Sequence, residues 1–322
     1  MGVRAKTFRV MSGTTLLAGF AVPSRVAPAR EARVATAHSF TGRMCAASRA
    51  EESRRPDALF VDPMAHLLAG DEGRAAPMGE WILVPRTRRG DDFLVTHYRN
   101  GCRQLVLLGA GMDARAHRAF AASADAAPPA LGGKAAALGQ LKVFEVDQPT
   151  TFAVKEPLLA DMPLAVASRN VVRADFARGD DWAANLVEAG FDATAPTVWL
   201  LEGLVYYLRD HDVNTLLGKI GKLSAPGSAV FHDSITKSYV SANIAPGGAP
   251  FVSGSDDYGA LWRAAGFDTS IVRDLATISV DRRRQRLAVS NAPGLTPERC
   301  RGQRIVLFVE AVKTGACANR TA

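Results

Sequence analysis

The sequence lacks the features that mark membrane, metal-rich and nucleic-acid-binding proteins. Its 322 residues contain no uncharged apolar run of about 18 residues, the length that crosses a bilayer, so no membrane segment is predicted. Only four residues are cysteine and none stand in a Cys-x-x-Cys pair, which argues against a structural zinc site or a disulfide framework and favours a reducing cytoplasm. Aromatic residues make up 7%, and they are not interleaved with the basic residues that give a net charge of +7. We therefore expect a basic surface without a metal, membrane or nucleic-acid partner.

The amino-acid composition is that of a globular protein. Apolar residues make up 48% and charged residues 22%, a composition that excludes a fully disordered chain. The length of 322 residues is enough for two domains or for one large α/β domain. Residues 1–40 show no clear period and are predicted to be a flexible extension; a short apolar run broken by Gly19 makes an export signal there the less favoured interpretation. Residues 41–100 are predicted to be a helical cap, and residues 101–322 the core. Within the core, the Gly- and Ser-rich residues 234–258 are typical of a lid or of a solvated loop.

The predicted cap carries signals for helix ends. Asp62 is a good N-cap ahead of Pro63, and Asn100 with Gly101 predicts the end of a later helix.

From residue 104 onward, short apolar runs alternate with helical stretches. This alternation predicts a parallel, doubly wound sheet. The last two strands lack a full helix between them and predict an antiparallel edge. The predicted strands are 104–108, 142–146, 170–172, 197–201, 228–232, 267–274 and 303–312, and the predicted helices between them are 149–160, 182–189 and 212–223.

The strongest single motif is the Gly109-Ala110-Gly111 turn directly after a buried strand. Glycines remove Cβ atoms, so that backbone can approach a ligand closely and adopt positive φ. Together with Ala114, the turn also fits a dinucleotide fingerprint. A simple tight turn is the remaining interpretation.

Acidic residues follow the next three strands. Asp147 ends the second strand on the same face as Glu145, and a carboxylate there accepts hydrogen bonds from ribose hydroxyls. Asp175 follows the third strand, and Glu202 ends the central one. An N-cap role for Asp147 and a turn role for Asp175 remain open. A buried Glu202 requires a cationic or hydroxyl partner, because an unpaired buried charge is costly.

As an ordered set these motifs resemble the leucine carboxyl methyltransferase superfamily, in particular its bacterial branch of S-adenosylmethionine-dependent O-methyltransferases common in actinomycetes. The resemblance spans about residues 40–312. It rests on residues 49–57, 61–63, 86–88, 91–93, 109–115, 144–149, 175–176 and 202–204.

The resemblance implies a class I methyltransferase fold with a mostly parallel seven-stranded sheet, an antiparallel edge and an N-terminal helical cap. It further implies S-adenosylmethionine as the cofactor. The implied cofactor-binding residues are Arg86, Gly109, Ala110, Gly111, Asp147, Gln148, Asp175, Phe176, Glu202 and Gly203. Asp147 would hold the ribose, Asp175 with Phe176 the adenine, and Arg86 the carboxylate of the amino acid end. Gly90 departs from the family pattern, which usually has a bulky aromatic residue there, so Arg88 or Arg89 remains an alternative to Arg86.

The expected reaction is in-line methyl transfer to an oxygen of a small-molecule carboxylate or hydroxyl, in secondary metabolism. A hydroxyl acceptor is helped by a base. We expect His232 and Tyr207 as the catalytic candidates, with Asp233 and Tyr206 as further ones; His232 also fits a polar strand terminus. The alternatives are an NAD(P)-dependent Rossmann oxidoreductase and a repurposed S-adenosylmethionine-binding protein without methyl transfer. The oligomeric state is not predicted.

Overall fold

The computed structural model describes residues 27–122, 128–176, 178–241, 249–274 and 306–315. The predicted extension before residue 27 and part of the predicted lid, residues 242–248, lie outside the described residues.

One sheet of seven strands organises the core. The strands are β1 Gln104–Leu108, β2 Lys142–Asp147, β3 Ser168–Arg173, β4 Thr197–Leu201, β5 Ala229–Ile235, β6 Thr269–Asp274 and β7 Val306–Val312. Their order in the sheet is β3-β2-β1-β4-β5-β7-β6. Strands β1 to β5 are parallel to one another, and β7 runs antiparallel to both of its neighbours, β5 and β6. The predicted doubly wound, class I methyltransferase type of fold is confirmed, with the antiparallel strand lying one position inside the edge.

Helices cover both faces of this sheet, and three of them precede it. The helices are α1 Ala27–Ser53, α2 Ala65–Ala75, α3 Glu80–Arg99, α4 Pro149–Leu159, α5 Trp182–Glu188, α6 Asp210–Leu223, α7 Lys237–Val240 and α8 Tyr258–Ala264. Pro149 occupies the first turn of α4, where its missing N–H has no cost. The predicted end of α3 is confirmed, because Asn100 is its C-cap and Gly101 follows with φ 105°. No helix among the described residues is long and apolar enough to cross a membrane.

The predicted start of the second helix is corrected by the structure: α2 begins at Ala65, with Met64 as its N-cap. Asp62 Oδ1 does accept from Met64 N at 3.1 Å, a bond of the capping type, in the turn before the helix. The Asp62 carboxylate is buried and pairs with Arg49 of α1 at 2.9 Å, an interaction between elements that a local capping rule does not include.

The central strands are buried on both faces, as their continuous apolar runs predicted. Every residue of β1, β4 and β5 is buried. On one face Trp199 and Phe144 pack in a cluster with residues of α5, α6 and α8; on the other, Leu107 and Phe231 pack in a cluster with Phe93 of α3. This packing brings the carboxyl ends of β1 to β5 to one edge of the sheet.

Candidate functional site

A cavity of about 520 Å³ lies at the carboxyl ends of the parallel strands. This volume falls within the range of about 300–1,000 Å³ typical of small-molecule sites. All ten predicted cofactor-binding residues line it: Arg86, Gly109, Ala110, Gly111, Asp147, Gln148, Asp175, Phe176, Glu202 and Gly203. The fold therefore brings together residues that are up to 117 positions apart in the chain.

The glycine turn after β1 forms one wall of the cavity. Gly109 and Gly111 have φ values of 68° and 49°, a region that side chains with a Cβ rarely adopt. Gly109 N donates to Val146 O of β2 at 2.9 Å. A Cβ on Gly109 would lie 3.0 Å from Leu204 Cδ1, so the close approach of backbone to this residue also requires glycine.

Asp147 joins this turn to helix α4. Its Oδ2 accepts from Gly111 N at 2.7 Å, and its Oδ1 accepts from Gln148 N at 2.6 Å and from Thr151 Oγ1 at 2.9 Å. Burial raises the pKa of the Asp147 carboxyl, although these hydrogen bonds oppose the rise. The N-cap of α4 is Gln148, so the N-cap interpretation of Asp147 is wrong. The side chain contacts Thr151 in the first turn of α4 and faces the cavity.

Glu145, two residues earlier, has a different environment. It is fully buried between Lys155 Nζ at 2.7 Å and Arg169 Nη2 at 2.7 Å. Although burial opposes ionisation, Lys155 and Arg169 lower the pKa of the Glu145 carboxyl. Its ion pairs tie β2 to α4 and β3.

Gln148 links the second and third strand ends. Its Nε2 donates to Asp175 Oδ2 at 3.2 Å. Its Oε1 is buried and has no hydrogen-bond partner among the described residues. Phe176 packs edge-on against Trp182, with the ring centroids 6.0 Å apart, and lines the cavity beside Asp175. This end of the cavity thus offers an acceptor, a carboxylate and an aromatic ring.

Glu202 has the cationic partners that its predicted burial required. Arg115 Nη2 donates to Oε1 at 2.6 Å, and Arg86 Nε lies 3.5 Å from Oε2. Burial nevertheless raises the pKa of the Glu202 carboxyl. Arg115 also pairs with Asp91 at 2.9 Å and with Asp113, so it joins α3, the glycine turn and β4. Arg115 lies in residues 109–115, one of the segments that carry the family resemblance, but no role in the site was predicted for it.

Arg86 lies between two carboxylates. Its Nη1 donates to Asp233 Oδ2 at 2.9 Å, and Nη1 lies 3.5 Å from the Tyr206 hydroxyl. Asp233 also accepts from Gly203 N at 2.6 Å and from the Tyr206 hydroxyl at 3.2 Å. Although burial disfavours the charge, the Asp233 carboxylate holds the pKa of Arg86 well above its usual value. A Cβ on Gly203 would lie 3.1 Å from Arg86 Nη1, so glycine permits this approach.

The prediction of His232 as a catalytic base is wrong. His232 is fully buried on the opposite face of β5 from Asp233 and does not line the cavity. Its Nε2 accepts from Trp262 Nε1 at 3.0 Å, and its Nδ1 lies 3.3 Å from Asp233 O. Burial lowers the pKa of His232 to about 4. The side chain is a buried, neutral packing residue.

Tyr207, the second catalytic candidate, does line the cavity. Its hydroxyl forms a hydrogen bond with the Thr41 side chain, and burial raises its pKa. The group is therefore a neutral hydroxyl near neutral pH.

Gly90, which departs from the family pattern, is explained by the ion pairs beside it. A Cβ at this position of α3 would overlap Glu202 Oε1 and lie 2.9 Å from Arg115 Nη2. The space that an aromatic side chain would fill is occupied by this carboxylate and guanidinium.

We expect Gly90→Ala to lower the free energy of unfolding by about 1–3 kcal/mol, because overpacking forces Glu202 and Arg115 to move. Gly218→Ala is the matched control: Gly218 also lies within a helix, α6, but a Cβ there meets no atom within 4 Å. The control should gain up to about 1 kcal/mol from helix propensity. Urea unfolding of both variants measures the difference, and equal stability changes would contradict this account of Gly90.

Two proteins of similar sequence agree with the sequence resemblance. A Streptomyces coelicolor protein, whose name records an inferred S-adenosyl-L-methionine-dependent methyltransferase activity, is 37% identical over 212 residues, which are 60% of this chain and 64% of that protein. The matched part thus spans slightly less than two thirds of that relative. A Mycobacterium marinum protein with the same kind of name is 32% identical over 266 residues, covering 74% of this chain and 75% of the relative. A crystal structure of a DUF574 family protein from Streptomyces avermitilis has a TM-score of 0.48 at 15% identity, covering 83% of this chain and 96% of that one.

The family comparison covers more than half of the chain. The sequence model of the leucine carboxyl methyltransferase family matches residues 43–221, which contain α2 to α5, β1 to β4, the glycine turn and all the predicted cofactor-binding residues. This chain belongs to the leucine carboxyl methyltransferase family.

Proposed function

We propose that the protein is an S-adenosylmethionine-dependent O-methyltransferase acting on a small-molecule carboxylate or hydroxyl, in the cytoplasm and in secondary metabolism. One observation carries the proposal: the glycine turn, Asp147, Asp175, Glu202 and Arg86 converge on a single cavity at adjacent strand ends. Family membership gives the reaction type, and the cavity residues give the cofactor chemistry.

The residues present fit this cofactor. The orphaned Gln148 Oε1 is a buried acceptor for which a hydroxyl or amino group of a nucleoside supplies the donor. Asp147 Oδ2 accepts one hydrogen bond and has capacity for a ribose hydroxyl. The positive-φ glycines Gly109 and Gly111 leave backbone exposed along the cavity wall. These features match a nucleoside at the β2–β3 end.

The amino acid end fits Glu202 and Arg86. Glu202 Oε2 would accept from the ammonium group. Arg86 Nη2, which faces the weak acceptor Cys45 Sγ at 3.8 Å, would donate to the carboxylate. Arg115 holds Glu202 in place from the other side.

When bound, the cofactor supplies a methyl group on a cationic sulfur that an oxygen nucleophile attacks. The protein's part is positioning and exclusion of water. A carboxylate acceptor needs no base. Burial raises the pKa of Tyr207, so we no longer expect it to act as a base; for a hydroxyl acceptor we propose instead that its neutral hydroxyl orients the acceptor oxygen.

We also infer that residues 41–100 act as a cap and residues 234–258 as a lid over this cavity. Cys45 and Ile82 from the first segment, and Tyr239 and Phe251 from the second, line it.

Isothermal titration with S-adenosylmethionine tests the proposal. We expect Asp147→Asn to weaken binding by about 10- to 100-fold, since a hydrogen bond to a charged group contributes about 1.5–3 kcal/mol. Asp161→Asn, an exposed aspartate after α4, is the matched control and should bind as the wild type does. The wild type should not respond to NADH in a fluorescence titration.

Three outcomes separate the alternatives. Lack of binding at millimolar S-adenosylmethionine contradicts the proposal, and NADH binding in its place supports the oxidoreductase. Tight cofactor binding with no methyl transfer from labelled cofactor to any of a panel of metabolites supports a repurposed binding protein.

A further inference from the structure

The cavity continues past the predicted cofactor residues along the sheet edge. Neighbouring strands lie about 4.8 Å apart, so the span from Asp175 after β3 to Glu202 after β4 is about 14 Å, and β5 and β7 add about 10 Å more. Ile235 at the end of β5 pairs with Val306 at the start of β7, and both line the cavity. The part of the cavity over β5 and β7, the acceptor end, lies beyond the residues that hold the cofactor in the proposed function.

Aromatic rings form one wall of the acceptor end. Phe251 lies at its centre, with ring centroids 4.5 Å from Tyr206, 5.4 Å from Tyr207 and 6.4 Å from Tyr239. Tyr206 and Tyr207 themselves pack edge-on at 4.9 Å. Such rings bind the faces and edges of other planar rings in offset or T-shaped contacts.

Apolar side chains also line the cavity. Ile235 and Val306 lie at the acceptor end, and Met44 of α1 and Ile82 of α3 are among the other lining residues. Met44 and Met78 are held together, since Met78 N donates to Met44 O at 3.2 Å. Flexible methionines adapt to the edges of a flat ligand.

The charges nearest to the acceptor end are already paired. Arg86 is held by Asp233 at 2.9 Å and lies 3.5 Å from Glu202, and Glu202 is also paired with Arg115 at 2.6 Å. In the proposed function these charges hold one another and the amino acid end of the cofactor, so the contacts that remain for an acceptor come mainly from rings and apolar side chains.

The geometry points to a planar aromatic acceptor, whose ring binds against the aromatic wall of the acceptor end. This inference rests on the proposed function and names the acceptor by its ring. The acceptor oxygen forms the new O–C bond while the C–S bond breaks and its electron pair stays on sulfur, which leaves a neutral thioether. A carboxylate acceptor has no proton to lose, and the proton of a hydroxyl acceptor passes to solvent water.

The experiment compares four probes that vary ring and charge independently: naphthol, naphthoate, decanol and decanoate. Each is titrated calorimetrically into the full chain saturated with S-adenosylhomocysteine, so the readout is binding rather than turnover. We expect naphthol to bind at least tenfold more tightly than decanol, and naphthoate at least tenfold more tightly than decanoate.

Phe251→Leu keeps an apolar side chain and removes the ring. It should weaken naphthol binding about tenfold, leave decanol binding unchanged, and leave S-adenosylhomocysteine binding unchanged. Val252→Ala, at the exposed neighbouring position, is the matched control and should change none of these affinities.

Equal binding of naphthol and decanol, and of naphthoate and decanoate, with S-adenosylhomocysteine bound normally, would overturn the inference and leave the proposed function standing. Absence of S-adenosylhomocysteine binding to the wild type would overturn both the inference and the proposed function.

Discussion

Replacement of Arg86 by methionine is expected to lower the free energy of unfolding by about 3–5 kcal/mol, the cost of removing one partner from a buried ion pair. Arg86 is only 6% exposed and lies between Asp233 at 2.9 Å and Glu202 at 3.5 Å. Methionine fills much of the same volume but leaves both carboxylates without this cation. Urea unfolding followed by circular dichroism measures the loss.

A second substitution tests whether the loss of stability comes from carboxylates left without a cation. Asp233→Asn in the Arg86→Met background removes one of the two uncompensated charges, so the double variant should be more stable than the sum of the single changes predicts. Arg86→Lys keeps the charge but loses the planar fork, and should cost less than Arg86→Met. A loss below about 1 kcal/mol in Arg86→Met, or additivity in the double variant, would show that the arginine is not the counter-charge of Asp233.

The second large effect concerns pH and His232. Burial lowers the pKa of His232 in the folded protein to about 4 from its usual value of 6.5. Between these two pH values the unfolded chain binds the proton more strongly, so stability falls as the pH falls from about 6.5 to about 4 and this contribution then levels off. A shift of this size corresponds to about 3 kcal/mol. His232→Gln, whose amide oxygen replaces the acceptor for Trp262, removes this pH-dependent loss.

The measurement is the free energy of unfolding between pH 7 and pH 4 for the wild type and the variant. Carboxyl groups such as Glu202 and Asp147 titrate in both proteins, so the difference between the two curves isolates His232. His211→Gln, at an exposed position in α6, is the control and should follow the wild type. Parallel curves for wild type and His232→Gln would refute a buried neutral histidine.

Much of the cavity lining at the ends of β1 to β4 could be predicted from sequence because it depends on local rules. A buried apolar strand followed by glycines or an acid has its polar residue at the carboxyl end, and parallel strands align these ends at one edge. Asp147, Asp175 and Glu202 were placed correctly by this reasoning, and all line the cavity. The expected cation for Glu202 followed from the cost of a buried charge alone, although Arg115 was not identified as that cation.

The choice between His232 and Asp233 could not be made in the same way. Successive residues of a strand point to opposite faces, but β5 is buried throughout, so no alternation of polar and apolar residues marks the cavity face. The structure places Asp233 toward Arg86 and Gly203, and His232 toward Trp262. His232 was predicted to be a base because the usual pKa of histidine lies near neutral pH. Burial lowers the pKa of His232 to about 4, so this reason no longer holds.

The sequence by itself determined the order of the strands and of helices α4 to α6, the glycine turn and the acids that follow three strands, because each depends on residues close together in the chain. Only the tertiary structure decided which residues pair across it: Arg86 with Asp233, Arg115 with Glu202 beneath Gly90, and Arg49 with Asp62. Pairing energies depend on distance and burial, and both arise only when helices α1 and α3 pack over the strand ends.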